Sequence, residues 1–264
     1  EVDGKSLLGA NGTLRPNFWR AVTDNDMGAN INITHKVWKN PVMTLQTLEA
    51  KQQKTGTMVT AFYRMDSVQA LLTLQYFIGE NGTIQVSQQL QTNKKASMPN
   101  LFRFGMVMDL PYEMEKSVYY GRGPIENYPD RKLSQRIGRY EQMADDQFYP
   151  YIRPQETGTK GDMRWWKQTD RQGIGLKVVA DAPFYASATH YTIPDVDDGD
   201  RKEQRHSYQL KRSCFTELYL DGAHAGVGGI DSWSGWAEAL EPYQVKCEDR
   251  AFTFWLLPTE TVGD

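Results

Sequence analysis

The 264-residue chain carries 30 lysine and arginine residues against 33 aspartate and glutamate residues, with the bases scattered. The resulting net charge of -3 gives no basic footprint for nucleic acid, and no stretch approaches the roughly 20 apolar residues that span a membrane. A hydrophobic content of 39% with 12% aromatic residues fits a soluble globular protein. We therefore expect neither nucleic acid nor a membrane among its partners.

Apolar and polar residues alternate with period two along most of the chain, which predicts an antiparallel all-β fold. The clearest pattern is a hairpin in which alternate residues from Ala70 to Ile78 share one face and residues 84–90 form the return strand. Its turn, G-E-N-G at residues 79–82, contains the Asn81-Gly82 pair that favours type I′. Further strands are predicted at residues 57–65, 101–110, 173–180, 184–189, 215–221 and 250–257.

No segment shows a long 3.6-residue period, so helices should be few and short. The most polar stretch, residues 195–205, is expected to form an exposed loop or one helical turn. No linker or change in composition divides the chain, which predicts a single domain of residues 1–264.

Four runs rich in glycine, proline and polar residues stand between the predicted strands. Motif 1 is N-F-W-R-A-V-T-D-N-D (17–26), and motif 2 is Y-G-R-G-P-I-E-N-Y-P-D-R (120–131). Motif 3 is R-P-Q-E-T-G (153–158), followed by Arg164-Trp165, and motif 4 is G-V-G-G-I-D-S-W-S (226–234). Glycine and proline predict that motif 2 is an irregular turn, neither strand nor helix. Its polar groups must pair with each other, with other segments or with a ligand.

In this order the motifs resemble the C-terminal domain of bacterial β-galactosidases of glycoside hydrolase family 2, called the small chain where the enzyme is two polypeptides. That family reads F-W-R-A-P-T-D-N-D, then Y-G-R-G-P-x-E-N-Y-x-D-R, then G-x-G-G-D-D-S-W. Val22, Thr157 and Ile230 stand where the family usually has proline, asparagine and aspartate. The resemblance implies a large antiparallel β-sandwich, a supersandwich similar to the galactose mutarotase fold. It also implies partnership with the catalytic barrel and other domains of the same enzyme, and a galactoside substrate.

The strongest candidate for a functional side chain is Trp233. The preceding glycines allow a sharp turn, and Ser232 and Ser234 flank the indole, so the ring can be exposed and still be held rigidly. In the resembling enzymes the tryptophan at this position is a platform for the sugar, which implies substrate binding by Trp233, with Asp231 and Ser232 beside it. The alternative is a tryptophan that plugs the end of the sandwich.

A second set of candidates allows two interpretations. Asx-rich loops cap their own turns, and carboxylates such as Glu126 and Asp130 accept hydrogen bonds from loop backbone or from Arg122 and Arg131. Alternatively, these side chains line the active site or the seam with the catalytic barrel. The set comprises Trp19, Arg20, Asp24, Asn25, Asp26, Arg122, Glu126, Asn127, Asp130, Arg164 and Trp165.

No catalytic residue is assigned to this chain. Glycoside hydrolysis needs two carboxylates facing each other across the scissile bond, and the loops offer Asp24, Asp26, Glu126, Asp130, Glu156, Asp162 and Asp231. The resemblance argues against them, because the family's catalytic glutamates lie in a barrel domain outside this chain. The chain alone is therefore expected to be inactive.

No metal ligand or cofactor is assigned to this chain either. The four histidines are far apart, and residues 195–200 fail the D-x-D-x-D-G calcium pattern because Gly199 occupies the third ligand position. The resemblance implies a divalent cation bound elsewhere in the parent enzyme. Cys214 and Cys247 are expected to be packed thiols, and a disulfide between them stays open.

Three further possibilities concern what the chain is. Its aromatic content also allows a free-standing carbohydrate-binding module, and the mutarotase-like fold suggests an aldose epimerase, although no motif contains the histidine that such chemistry commonly uses. A start at Glu1 without methionine or signal sequence indicates an excised piece, whose exposed docking patch could drive non-native dimers. Localisation in the bacterial cytoplasm or the periplasm stays open.

Overall fold

The computed structural model describes residues 4–9, 12–197, 199–201 and 205–259. These residues fold around an antiparallel sheet of twelve strands, which confirms the expected all-β, antiparallel fold class. In chain order the strands are β1 Leu14–Asn17, β2 Thr44–Gln53, β3 Gly56–Met65, β4 Ala70–Gly79, β5 Ile84–Thr92, β6 Arg103–Pro111, β7 Lys116–Gly123, β8 Arg136–Met143, β9 Lys160–Thr169, β10 Gly175–Thr189, β11 Phe215–His224 and β12 Arg250–Thr259.

Strand β10 is the centre of the sheet. One of its edges pairs with β9, which continues outward through β7 to β8. The other edge pairs first with β12 and then with β11. One wing runs from β12 through β5, β4 and β3 to β2, and another runs from β11 through β6 to β1. Because both wings leave the same edge of β10, the sheet curls around the core.

The two strands predicted at residues 173–180 and 184–189 are one continuous strand, β10. Its register against β9 shifts between Val179 and Phe184. Pro183 lies inside this irregular segment, and because proline has no N–H to donate, it is tolerated in a strand where the pairing is interrupted. The proline therefore marks a bulge within one strand, and the prediction of two separate strands was wrong.

The β4–β5 hairpin is confirmed, and its turn differs from the predicted type I′. Gly82 has a φ of +79°, whereas Asn81 is not among the described residues with positive φ. A type I′ turn needs positive φ at both central residues. Instead, Gly82 N–H donates to Gly79 O at 3.0 Å, and Gly79 N–H donates to Thr83 O at 2.9 Å. The Asn81 side chain accepts from Thr83 N–H at 3.1 Å, which holds the turn without a positive φ at Asn81.

Five strands were missed from the sequence: β1, β2, β7, β8 and β9. Strand β2 is exposed along its whole length, so its pattern shows no buried face. Strand β7 runs into motif 2, and Tyr120–Gly123 are therefore strand, which corrects the prediction that the whole motif is an irregular turn. Gly121 and Gly123 fit a strand here because a Cβ at either position would collide with Met163 or Tyr119.

The helices are few and short, as expected: α1 Asp24–Gly28, α2 Ile31–Thr34 and α3 Ile193–Val196, with short 3₁₀ turns between strands. Helix α1 corrects the view of motif 1 as purely loop. Thr23 caps it, because Thr23 Oγ1 accepts from Asp26 N–H at 3.1 Å and the Asp26 carboxylate accepts from Thr23 N–H at 2.9 Å. No helix of the described ranges is long and apolar enough to cross a membrane.

The β11 wing has one apolar and one polar face, and both are buried. Leu218 and Leu220 belong to the apolar core, while Glu217, Tyr219 and Asp221 alternate with them and face the other way. Cys214 is exposed and Cys247 is half-buried; both are free thiols, so the expected packing holds for Cys247 alone. Asp198 and residues 202–204 of the predicted polar loop lie outside the described residues.

Candidate functional site

Motif 4 presents an exposed tryptophan on a fixed backbone. The Trp233 side chain is 78% exposed. The Asp231 carboxylate accepts from Trp233 N–H at 3.2 Å, from Ser234 N–H at 3.1 Å and from Ser234 Oγ–H at 2.6 Å. The Ser234 hydroxyl and these backbone amides hold the pKa of Asp231 below its usual value. The loop is therefore anchored by Asp231, while the indole itself is open to solvent.

Motif 1 packs directly against this loop. Asn25 donates from Nδ2 to Asp231 O at 2.9 Å. Gly28, at the end of α1, approaches the loop so closely that a Cβ there would lie 2.2 Å from Ser232 O. Only glycine permits this contact, and it fixes the distance between α1 and the Trp233 backbone.

Motif 2 holds the other end of motif 4. The Asp130 carboxylate accepts from Val227 N–H and from Gly228 N–H, each at 2.9 Å. Such hydrogen bonds to an ionised acceptor are stronger than neutral ones. A Cβ on Gly226 would lie 2.8 Å from Asp130 Cγ, so the glycine is required for the close approach.

A buried ion pair lies inside motif 1. The Arg20 and Asp26 side chains are 1% and 3% exposed, and two hydrogen bonds of 2.9 and 3.1 Å join them. Arg20 also donates to Ala225 O at 3.0 Å, next to motif 4, and its guanidinium lies over the Phe102 ring. Both charged side chains are therefore engaged in contacts within the protein, and Arg20 connects motif 1 to the residue before motif 4.

Motif 1 also contacts motif 3. The Asp24 carboxylate accepts from Arg153 Nε at 2.9 Å and from Gln155 Nε2 at 3.2 Å. Trp19 is buried, and its Nε1 donates to Asp197 Oδ2 at 3.0 Å. Asp197 is itself buried and follows the short helix α3, whereas the segment around it was expected to be an exposed loop or one helical turn.

Motif 2 and motif 3 are joined through Glu126 and Asn127. The Glu126 carboxylate accepts from Gly158 N–H at 2.7 Å and from Thr157 Oγ–H at 3.0 Å, and it pairs with Arg131. Asn127 N–H donates to the carbonyl of Thr159 just beyond motif 3 at 2.8 Å. The threonine that departs from the family pattern at position 157 therefore still supplies a polar contact.

The remaining candidate residues either stabilise motif 2 or lie away from motif 4. Arg122 forms an ion pair with Asp162 at 2.8 Å and donates to Gln135 O at 2.7 Å, so it fixes the turn. Arg164 and Trp165 lie on β9, where Trp165 is paired with Tyr120 of β7. The structure thus brings together Trp19, Arg20, Asp24, Asn25, Asp26, Glu126, Asn127, Asp130, Asp231, Ser232 and Trp233, and it places Arg164 and Trp165 in the sheet.

A buried charged cluster under motif 3 was missed from the sequence. Arg103 of β6 donates to Asp221 of β11 at 2.6 Å and lies 3.9 Å from Glu156 of motif 3. His224 lies 3.7 Å from the same glutamate. Burial disfavours the charge of Glu156, but Arg103 and His224 outweigh it and hold the pKa of Glu156 at about 2. The sequence signal for this cluster was the presence of polar residues at alternate positions of the predicted strand 215–221.

Beside this cluster is a cavity bounded by Arg103, Glu156 and Tyr219. It encloses about 20 Å³, which is room for about one water molecule. A pyranose ring cannot enter, so the cluster serves the packing of motif 3 against the polar face of the sheet.

The seven carboxylates proposed as candidates are engaged within the protein. Asp24, Asp26, Glu126, Asp130, Glu156, Asp162 and Asp231 each accept hydrogen bonds from loop or strand groups. A reacting pair has to face substrate, whereas these groups hold turns in place. Within the described ranges, no three His, Cys, Asp or Glu side chains are grouped so that they could hold a metal ion.

Lys160 is another buried charge that the sequence did not indicate. Its side chain donates to Gly158 O at 2.8 Å and to Gln147 Oε1 at 3.2 Å. Burial lowers its pKa to about 7, although the charge of Glu126 acts in the opposite direction. Lys160 thus ties the end of motif 3 to the segment before it.

The buried carboxylate Glu217 gives the protein a pH-dependent stability. Arg15 lies between Glu217 and Asp109, at 2.6 and 2.8 Å, so one positive charge serves two buried acids. Burial raises the pKa of Glu217 from 4.5 to about 7 against the hydrogen bond from Tyr219. Between these two values the folded state keeps a proton that the unfolded state has lost, so the free energy of unfolding falls as pH rises.

We expect Glu217→Gln to abolish this pH dependence. In the wild type, this group should lower the free energy of unfolding by an amount on the order of 3 kcal/mol between pH 4.5 and 7.5. Urea unfolding at several pH values measures it. Glu248→Gln is the control, because the Glu248 side chain is 62% exposed. A Glu217→Gln slope equal to that of the wild type would contradict the assignment.

These contacts define a class of protein: a β-sheet domain whose loops are held together beneath the exposed indole of Trp233. The family model of the β-galactosidase small chain matches residues 1–256. The chain therefore belongs to the β-galactosidase small-chain family.

The curated relatives are β-galactosidases, and each is longer than this chain. The β-galactosidase of Lactobacillus delbrueckii subsp. bulgaricus is 34% identical over 220 residues, which is 82% of this chain and 21% of the relative. The enzyme of Priestia megaterium is 30% identical over 222 residues, 83% of this chain and 21% of the relative. The enzyme of Vibrio cholerae is 31% identical over 235 residues, 84% and 22% respectively. The chain thus spans about a fifth of the length of these relatives.

Among solved structures, a GalM/aldose epimerase homologue from C. elegans overlaps 82% of this chain and 69% of its own, with 7% identity and a TM-score of 0.42. Such a score indicates partial overlap, and the fold described above rests on the strand pairing.

Proposed function

We propose that this chain, as a single domain of residues 1–264, is the non-catalytic C-terminal part of a retaining β-galactosidase of glycoside hydrolase family 2. The parent enzyme would hydrolyse terminal β-D-galactosides with catalytic carboxylates outside this chain. Family membership and the greater length of the relatives support the assignment. The catalytic barrel and the other domains of that enzyme would be its partners.

One observation carries the proposed role of this chain: the Trp233 indole is open to solvent although three motifs fix the backbone beneath it. A monomeric domain gains nothing from exposing a tryptophan in this way, since burial of an aromatic side chain stabilises a fold. A rigid aromatic face is suited to stack against the apolar face of a sugar ring. Trp233 would then form part of the substrate site once the catalytic barrel lies opposite, with Asp231 and Ser232 at its base.

The first test is hydrolysis of a chromogenic β-galactoside by the purified chain, alone and mixed with a preparation of the remaining domains. We expect activity only in the mixture. Activity of the isolated chain would overturn the proposal and would direct attention to a carboxylate pair among Glu126, Asp130 and Glu156.

In the assembled enzyme, Trp233→Ala is expected to weaken substrate binding about tenfold or more, because a stacking platform is lost while the reacting groups remain. Steady-state kinetics measures the effect as a rise in KM. Trp236→Ala is the matched control, since Trp236 lies just after motif 4 and is also largely exposed, at 68%. Equal losses in the two variants would indicate a general docking patch, and unchanged constants for Trp233→Ala would refute its role.

Of the two other candidate functions, an epimerase finds no support in the cavity bounded by Arg103, Glu156 and Tyr219, because this cavity is too small to hold a sugar. The other candidate, a carbohydrate-binding module, would use a different surface of the sheet.

A further inference from the structure

A row of aromatic side chains crosses the outer face of the sheet, opposite to the core. The pairing registers place Phe77 of β4 beside Gln85 of β5, and Gln85 beside Trp255 of β12. All three side chains are half-exposed. Their neighbours along each strand, such as Phe254 and Val86, point inward and are fully buried. The row therefore belongs to a surface with no described covering segment.

Phe77, Gln85 and Trp255 line the floor of a surface cleft at the β4–β5 turn. Glu80, Asn81 and Thr83 of the turn line its rim. The cleft encloses about 440 Å³, within the range of roughly 300–1,000 Å³ typical of small-molecule sites. No described residue forms a hydrogen bond with the side-chain amide of Gln85, so the amide can donate to and accept from a ligand.

These groups have the chemistry of a carbohydrate subsite. A pyranose ring carries C–H groups on its faces and hydroxyls around its edge, so it needs a flat apolar platform bordered by donors and acceptors. Phe77 and Trp255 offer two platforms, and Gln85, Glu80, Asn81 and Thr83 offer polar groups between and beside them. An apolar ligand would leave these polar groups unpaired, which disfavours it.

The spacing of the platforms indicates an extended glycan. Phe77 and Trp255 are separated by two strand spacings, which is about 10 Å. This distance is close to one disaccharide repeat of an extended β-1,4-linked chain with equatorial linkages, and the flat face of the sheet suits an extended chain. The row continues through Val179 to Trp165, where Lys177 lies over the indole ring and occupies that platform.

We propose that this cleft is a non-catalytic binding site for short β-1,4-linked oligosaccharides, with Trp255 and Phe77 as stacking platforms and Gln85 as the central hydrogen-bonding group. Because Lys177 covers the next platform, affinity should rise up to a chain of about four sugars and then level off. The site lies on the sheet, apart from the motif 4 loop. It does not depend on the proposed role of Trp233.

Isothermal titration calorimetry of the 264-residue chain with cellotetraose and β-1,4-mannotetraose, whose equatorial linkages keep both chains extended, tests the proposal. We expect binding of at least one of these probes and at least tenfold weaker binding of maltotetraose, whose α-linkages curve the chain. Hexaoses should bind no more than about twofold tighter than tetraoses. Absence of binding by both β-linked probes, or equal binding of maltotetraose, would overturn the proposal.

Trp255→Leu keeps an apolar side chain in the sheet and removes the flat ring, so affinity should fall about tenfold. Gln85→Ala tests the same site without touching an aromatic residue, and a threefold or greater loss is expected. Tyr208→Ala is the matched control, since this aromatic side chain is exposed and outside the row. Near-ultraviolet circular dichroism verifies folding, and unchanged affinity in both folded site variants would refute the assignment.

Discussion

Arg103→Met should lower the free energy of unfolding by about 3–5 kcal/mol, because removing one partner of a buried ion pair leaves an uncompensated charge. Arg103 is 1% exposed and pairs with Asp221, with Glu156 close by, so two buried carboxylates would lose their counter-ion. Urea unfolding of the isolated chain measures the loss. Arg136→Met is the control, because it makes the same substitution at an exposed position of β8.

The pH dependence separates this mechanism from simple loss of packing. Glu156 has a pKa of about 2 in the folded state and an ordinary value of 4.5. Its contribution to stability is present above pH 4.5 and is lost as pH falls toward 2. In Arg103→Met the pKa of Glu156 should rise, so the difference in stability between variant and wild type should shrink below pH 4. A difference that is constant with pH would contradict the electrostatic explanation.

In the proposed β-galactosidase, Asp130→Ala should lower kcat/KM about tenfold, no more than Trp233→Ala does, because Asp130 of motif 2 is a positioning residue that acts through Trp233. Its carboxylate holds Val227 N–H and Gly228 N–H, and without it the loop that carries Trp233 is released at one end. A displacement of about 1 Å in a positioning group can cost such a factor.

A double-mutant cycle checks this route. If Asp130 acts through Trp233, then Asp130→Ala combined with Trp233→Ala should be no worse than Trp233→Ala alone. Asp130→Asn should recover most of the activity, because an amide oxygen can still accept from the two N–H groups. Asp181→Ala, at an exposed position in the irregular segment of β10, is the control. Additive losses in the double variant would show that Asp130 acts elsewhere.

The sequence predicted elements whose pattern is local. The β4–β5 hairpin alternates cleanly because one of its faces is buried, and a glycine-containing turn joins its strands. Strand β2 could not be found in this way, since it is the edge of its wing and both of its faces are exposed. Strand β7 was hidden because its glycines, required by the close approach of Met163 and Tyr119, also look like turn residues.

The sequence could not show which residues contact each other in the candidate site, because these contacts join residues that are far apart in the chain. Asp130 and Gly228 are 98 residues apart, and Arg103 and Asp221 are 118 residues apart. The motifs indicated that their polar groups need hydrogen-bond partners, but the composition of the motifs did not identify those partners. Trp233 was selected because its motif matches the family pattern and because small flanking residues and turn chemistry allow an exposed ring. Arg103 was not, since an arginine in a strand is usually a surface residue.

The position of β12 sets the order in which this protein can be completed during synthesis. Among the described strands, β12 joins β5 to β10, and therefore connects the β2–β5 wing to the rest of the sheet. Its residues, Arg250–Thr259, are the last described ones to leave the ribosome. The meander of β2–β5 is made early, yet it has no attachment to β10 until translation reaches this strand. A ribosome stalled before residue 250 would therefore hold a chain whose sheet of four strands is not paired to β10, and its open edges would favour aggregation.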